Sequence, residues 1–316
     1  MKKRNFRDLI DGRWGEGKFV CVGLDSNVEK IPCSFHKFAN YKLDVVRTVA
    51  WFNRTIVEAT KDLASAYKIN ISDHEVSGAE GITAMECTVA EIHMNAPTIP
   101  VIIDAKRGDT RTKNELYARA LFDGMRADAV TVNPYFGGKA LLPFLERKEK
   151  GVFVLCLSSQ EEEAEEFQYL PIAVKSTERS AVEKFLGREV DRDVFLYEYV
   201  AFRTAHAWNK NGNCGIVIGA THTDELGEMR NAVGDDMLIL SPDIGAQGGD
   251  TYRAFDAGMN KRGEGLILGS SRNIISASTN NVAELVYRET KKIAEEIHRA
   301  RLKHGCRLYD GQASSL

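Results

Sequence analysis

Eight short apolar runs, each closed by turn residues, recur along the chain and restrict its fold more than any other feature. They are FVCVGLD (19–25), LASAYKIN (63–70), IPVIIDAK (99–106), AVTVNP (129–134), GVFVLCLSS (151–159), GIVIGAT (215–221), MLILSP (237–242) and GLILGSS (265–271). Helical periodicity fills the intervals, as in YKLDVVRTVAWFNRTIVEATKDL, TKNELYARALFDGM, KALLPFLERKEK and TDELGEMRNAV, and an amphipathic helix closes the chain. Alternating β and α segments imply a parallel sheet. Near-continuous apolar strands imply burial on both faces, and eight units over roughly 250 residues match a closed α/β (β/α)8 TIM barrel. The alternative is a Rossmann-like sheet, but no GxGxxG follows the first run. The expected organisation is one barrel domain over residues 1–316. Residues 160–195 interrupt the rhythm and are far longer than a usual βα connection, so they are expected as an insertion after strand five, outside the barrel. Their acidic start, EEEAEE, reads as a solvated helix face, and residues 309–316 as a disordered tail.

The 316 residues carry a formal net charge of −3, with 43% hydrophobic and 28% charged content. That balance argues against a nucleic-acid partner, and no basic run exceeds the opening MKKR. No apolar stretch approaches the roughly 18 residues that span a bilayer, and the N-terminus lacks an export signal, so the expected location is cytoplasmic. Six cysteines, at 21, 33, 87, 156, 214 and 306, form no CxxC and no zinc-type spacing; they are expected as reduced core thiols.

The candidate chemistry gathers where the apolar runs end. VIIDAKRGD (101–109) delivers Asp104 and Lys106 to one strand end, on the same face of an extended backbone, with Asp109 in the following loop. An isolated Asp-x-Lys is often no more than an ion pair capping a strand. Here a second lysine, Lys68, closes another run, and Asp25, Ser158 and Ser159 close two more. Active sites of (β/α)8 barrels are built at these C-terminal strand ends. After the seventh run, SPDIGAQGGD supplies Gly245, Gly248 and Gly249, whose backbone can approach a ligand closely. After the eighth, Ser271 and Arg272 complete what reads as a phosphate cradle.

These motifs, VGLD, AYKIN, DAKRGD, VNPYFGG, VIGAT, GAQGGD and SSR, occur in an order and spacing that resembles the orotidine 5′-phosphate decarboxylase family, in its longer KRGD-type subgroup. The resemblance runs from residue 23 to 272, excluding the insertion and tail. It implies cofactor-free, metal-free conversion of orotidine 5′-phosphate (OMP) to UMP and CO2 in pyrimidine biosynthesis. It implies a charge network of Lys68, Asp104, Lys106 and Asp109, with Lys106 as proton donor to C6. Asp109 would reach across a homodimer with shared active sites. The resemblance also assigns Asp25 to ribose, Ser159 to the pyrimidine, and Gln247 and Arg272 to the 5′-phosphate. The chain departs from the family pattern where Thr110 follows the last aspartate, where Lys113 replaces a threonine, in Ser158-Ser159-Gln160, and at Asp243 in place of a glycine.

Two other readings are carried forward. A Mg²⁺-dependent sugar-phosphate lyase or synthase of the same barrel superfamily would need a carboxylate where Lys68 stands, because a divalent ion prefers oxygen donors. A non-catalytic nucleotide-binding barrel would retain the scaffold without turnover. Other conspicuous residues receive ordinary expectations: His74 with Glu75 as a solvated loop pair, Trp14, Trp51, Tyr135 and Phe136 as packing residues, and Trp208 ending the helix before strand six. The charged run in the last helix, from Arg288 to His304, is expected as an exposed face.

Overall fold

The computed structural model describes residues 4–39, 42–242, 244, 250–270 and 281–306. Eight parallel strands close into a barrel: β1 (Val20–Gly23), β2 (Ala64–Asn70), β3 (Val101–Arg107), β4 (Ala129–Val132), β5 (Gly151–Leu157), β6 (Cys214–Ile218), β7 (Leu238–Ser241) and β8 (Leu266–Ser270). Each pairs with its sequence neighbours, and β8 returns to pair with β1. All eight fall within the apolar runs read from the sequence, apart from a residue at the margins. Most of their side chains are buried because the barrel interior covers one face and the helices cover the other.

The helices around the barrel include α1 (Phe6–Gly15), α2 (Val45–Thr60), α3 (Gly78–Asn95), α4 (Arg111–Ala118), α5 (Gly138–Leu145), α6 (Arg179–Leu186), α7 (Leu196–Arg203), α8 (Thr223–Val233), α9 (Thr251–Gly258) and α10 (Val282–Lys303). α1 precedes the first strand and lies under the barrel. Its Asn5 cap accepts the N–H groups of Arg7 and Asp8, and Phe6 packs edge-on to Phe153 at 5.7 Å. β5 begins with Gly151 because a Cβ there would stand 2.4 Å from the Phe6 ring. Just ahead of α1, Arg4 from the opening basic run clamps buried Asp128 through two contacts of 2.9 and 2.8 Å. That basic residue therefore serves the fold.

Residues 160–195 lie beside the barrel. Pro171–Ala173 and Asp193–Phe195 form an antiparallel pair outside the closed sheet. Val182 and Phe185 of α6 are buried with Val174, Val190 and Val194, and α6 packs on α7 and α8. The acidic stretch is exposed at Glu161, Glu162, Glu163, Glu165 and Glu166, as its composition implies. The tail from 309 to 316 lies outside the described residues.

Several expectations are corrected. His74 is 1% exposed on a single helical turn, Ser72–Glu75, and Glu75 pairs with Arg107. Gly81 makes this possible, since a Cβ there would overlap the His74 carbonyl. Trp14 is buried and stacks on Phe19, and Trp51, although partly exposed, packs against Phe35 at 4.7 Å with Lys37 Nζ 3.4 Å above its ring, so both are packing residues as expected. Tyr135 and Phe136 are exposed yet pack within their loop, edge-on to each other at 6.0 Å, and Tyr135 also meets Phe167 of the insertion at 6.3 Å. Trp208 does end the helical segment before β6. Arg301 is not part of the exposed face of α10: it is 2% exposed and stacks on Phe19 at 4.2 Å. Cys21, Cys156 and Cys214 are core thiols, and burial pushes Cys21 and Cys214 up to about 12; Cys33 and Cys87 are exposed and Cys306 is partly so.

Candidate active site at the strand ends

Pairing of β1, β2 and β3 sets Gly23 beside Lys68 and Asn70 beside Asp104, so their charged groups emerge at one rim. Lys68 is 4% exposed, with Nζ 3.5 Å from Asp25 Oδ2 and 3.7 Å from Asp104 Oδ2. Lys106 Nζ lies 2.6 Å from the same Asp104 oxygen. The other oxygen of Asp104 accepts from Thr131 Oγ1 at 2.7 Å. Burial alone would raise the pKa of Asp104. The charges of Lys68 and Lys106, with the hydrogen bonds from Lys106 and Thr131, outweigh burial and hold it below the usual carboxylate range. Asp25 is fixed by the Asn70 N–H, which donates to Oδ1 at 2.9 Å.

The Asp104–Lys106 contact does not arise from simple strand alternation. Lys106 has φ +46°, and the pairing of β3 with β4 shifts register between Ile103 and Arg107. A non-glycine residue rarely adopts such a φ, and the conformation persists where neighbours over-determine it. One such neighbour is Thr131 on β4, whose Oγ1 accepts the Lys106 N–H at 2.9 Å while donating to Asp104. The hydroxyl therefore joins the backbone of one site residue to the carboxylate of the other. The Lys106 side chain remains half exposed at the mouth.

Asp109 is placed differently. Its N–H donates to Asn114 Oδ1 at 3.0 Å, and Oδ1 accepts the Thr110 N–H at 2.5 Å. Buried Asn114 in turn donates to the carbonyls of Asp109 and Ala140, both at 2.8 Å, tying the loop to α5. Among the described residues Asp109 forms no ion pair. The chain thus brings Asp25, Lys68, Asp104 and Lys106 together, but does not join Asp109 to them. Gly108 permits the loop path, because a Cβ would stand 2.4 Å from the Asn133 carbonyl oxygen. Of the departures from the family pattern, Thr110 and Lys113 are exposed at the start of α4.

Ser159 is 8% exposed just beyond β5, and its carbonyl accepts from Thr221 Oγ1 at 3.1 Å. Asp243, Gly245, Gln247, Gly248, Gly249, Ser271 and Arg272, the expected phosphate-binding segments and the departure at 243, lie outside the described residues. The strands that lead into them are neighbours, with Ser241 of β7 registered on Leu268 of β8.

Sequence reasoning missed Thr131 and Asp73. The available signal for Thr131 was a hydroxyl residue inside an otherwise apolar run. Asp73 follows β2 on the same turn as His74; burial and then the charge of Asp25 push its pKa up, while Lys30, Lys68 and Lys106 pull it down. Its charge is therefore felt within the cluster. No group of His, Cys, Asp and Glu among the described residues has the arrangement of a metal site. No described helix is long and apolar enough to cross a membrane.

Residues 18–286 match the family model described as Orotidine 5′-phosphate decarboxylase / HUMPS family. The orotidine 5′-phosphate decarboxylase of Cellvibrio japonicus (strain Ueda107) is 36% identical over 278 residues, spanning 88% of this chain and 92% of its own. Among solved structures, Leishmania donovani OMP decarboxylase superposes with a TM-score of 0.74 at 31% identity, covering 94% of this chain and 99% of the other. Leishmania donovani UMP synthase gives a TM-score of 0.75 at 32% identity, covering 95% of this chain but 57% of that longer one.

Proposed function

The chain belongs to the orotidine 5′-phosphate decarboxylase / HUMPS family, and from that premise we infer that it is a carboxy-lyase converting OMP to UMP and CO2. The observation that carries the reading to individual residues is the contact of one carboxylate, Asp104, with two ammonium groups, Lys68 and Lys106, at adjoining strand ends.

The chemistry explains that arrangement. When the bond from C6 to the carboxylate breaks, its electron pair stays on C6, where no adjacent carbonyl delocalises it well. An ammonium beside C6 both stabilises that charge and supplies the replacing proton. Lys106 is the donor: its N–H bond breaks as the C6–H bond forms, and the neutral amine recovers a proton from water. Asp104 holds Lys106 and faces the departing carboxylate. Two unit charges about 4 Å apart at an effective dielectric of 20 repel by about 4 kcal/mol, a repulsion that disappears once neutral CO2 has formed. Lys68 and Asp25 bind the ribose, and the two cations and two anions leave the pocket near neutral. Ser159 contacts the pyrimidine. Gln247 and Arg272, with Gly245, Gly248, Gly249 and Ser271, hold the phosphate far from the reacting carbon, where binding energy can drive closure. No cofactor enters these steps.

The functional unit in this proposal is a homodimer with shared sites. Two observations support it: Asp109 forms no ion pair with the described residues of its own chain, and Tyr135 and Phe136 are exposed on the loop after β4. We place the activity in the cytoplasm, where thiols such as exposed Cys33 and Cys87 persist. The test follows the ultraviolet absorbance of OMP with purified protein in EDTA, with Lys106→Ala as control. Metal-independent loss of OMP that disappears in the variant is expected. UMP binding without turnover by the wild-type protein would overturn the decarboxylase reading in favour of a binding protein.

A further inference from the structure

Two consecutive residues of the insertion hold the barrel rim on either side of Ser159. Gln168 Oε1 accepts the Ser158 N–H at 2.5 Å, satisfying a peptide group that has run past the end of β5. The Tyr169 hydroxyl donates to Glu225 at 2.5 Å and lies 3.2 Å from His222 Nδ1, so it reaches both the β6 loop and the first turn of α8. With its one proton given to Glu225, the Tyr169 oxygen is left to accept from the ring, so His222 Nδ1 acts as the donor in this contact. His222 is 9% exposed, and its Nε2 has no hydrogen-bond partner among the described residues. Tyr169 is its anchor.

Ser159 is caught between these two attachments. Thr221 donates to its carbonyl, and the Gly219 backbone presses so closely that a Cβ there would stand 2.4 Å from Ser159 Cα. The gap between the strand ends is thus fixed from the insertion side and filled from the β6 side. A serine hydroxyl is short. To meet the edge of a base it must be held within about half an ångström by the groups behind it.

We propose that Gln168 and Tyr169 are positioning residues for base recognition, holding Ser159 where it meets the pyrimidine of the nucleotide. The proposal rests on the reading of the site as one for OMP and UMP. The insertion then serves selection of the base, while the ribose and phosphate are held by other strand ends.

The experiment compares the wild type with Gln168→Leu, Tyr169→Phe and Gln168→Glu. Leucine removes the acceptor for Ser158, and glutamate keeps one. Phenylalanine removes the hydroxyl but retains ring packing against Phe195 and Tyr197, whose centroids lie 5.5 and 5.4 Å away. Inhibition constants are measured for UMP and for ribose 5-phosphate, which lacks a base, together with kcat and KM for OMP. Gln168→Leu is expected to weaken UMP about tenfold and Tyr169→Phe a few-fold, with ribose 5-phosphate unchanged. KM should rise with kcat nearly retained, as for loss of an interaction made equally in ground and transition states. Gln168→Glu should recover most of the loss. Equal weakening of UMP and ribose 5-phosphate, or no weakening of either in a wild type that decarboxylates OMP, would overturn the positioning role alone. A wild type that neither turns over OMP nor binds UMP would overturn the functional reading, and the inference with it.

Discussion

Thr131→Val removes one hydroxyl from the centre of the charge cluster while nearly conserving side-chain shape. Thr131 is 1% exposed, so water does not replace the lost group. The substitution deletes the 2.7 Å donation to Asp104 and strands the Lys106 N–H, which now has its acceptor at 2.9 Å. A hydrogen bond to a charged group contributes about 1.5–3 kcal/mol, and a buried donor left unsatisfied costs a comparable amount. The two losses fall on the carboxylate that holds the Lys106 ammonium and on the backbone that aims it. If that contribution is expressed where the proton is delivered, kcat/KM for OMP falls about 10- to 150-fold. The assay is the initial rate of OMP absorbance loss, with thermal unfolding of the variant measured in parallel. Loss concentrated in kcat, with UMP affinity nearly retained, is the expected pattern. A variant with kcat/KM within threefold of wild type and normal unfolding would refute the claim that this hydroxyl aims Lys106.

The remaining expectations concern the lower face, the proposed dimer and the loop after β3. Asp128 is buried, which alone would raise its pKa, but the hydrogen bonds and charge of Arg4, the nearby His93 ring 3.4 Å away and the Val101 N–H bring it down to about 2. A lowered folded-state pKa stabilises the fold above the unfolded value of about 3.8 and is lost as pH falls through 2; the contribution at neutral pH is about 2 kcal/mol. Urea unfolding should therefore show Asp128→Asn destabilised by at least that amount at pH 7, with the gap roughly halved at pH 3; a gap independent of pH would contradict the ion-pair account. If the sites are shared, mixing Lys106→Ala and Asp109→Asn, each inactive, should restore roughly a quarter of wild-type activity, since half the dimers are mixed and each has one intact site. No recovery after verified subunit exchange would mean that each chain completes its own site. Gly108→Ala should cost about 1–3 kcal/mol by overpacking against Asn133 and lower activity by moving the loop; wild-type stability and turnover would show that the loop yields freely.

The strand runs were legible because each parallel strand of a barrel is buried on both faces, which writes a local apolar signature into the chain. The strand-end charges stood out against that background, so Asp25, Lys68, Asp104 and Lys106 are legible in the sequence alone. The sequence also separated the insertion from the barrel rhythm, because a polar segment of that length cannot be a short βα connection. What it could not supply were relations between strands. The left-handed conformation of Lys106 is held through a hydroxyl 25 residues away, and periodicity within β3 cannot anticipate a partner on β4. His74 and Arg301 looked solvated because polar type predicts exposure only on average; their burial follows from the close approach permitted at Gly81 and from the face of Phe19. Tyr135 and Phe136 do pack against each other in their loop, but apolar type could not reveal that both rings would remain exposed while doing so. The order of burial along the backbone is a one-dimensional property, and the sequence by itself determined the barrel and the strand ends at which its candidate site residues lie. The aim of each charged group depends on contacts between segments distant in sequence, and those only the tertiary structure decided.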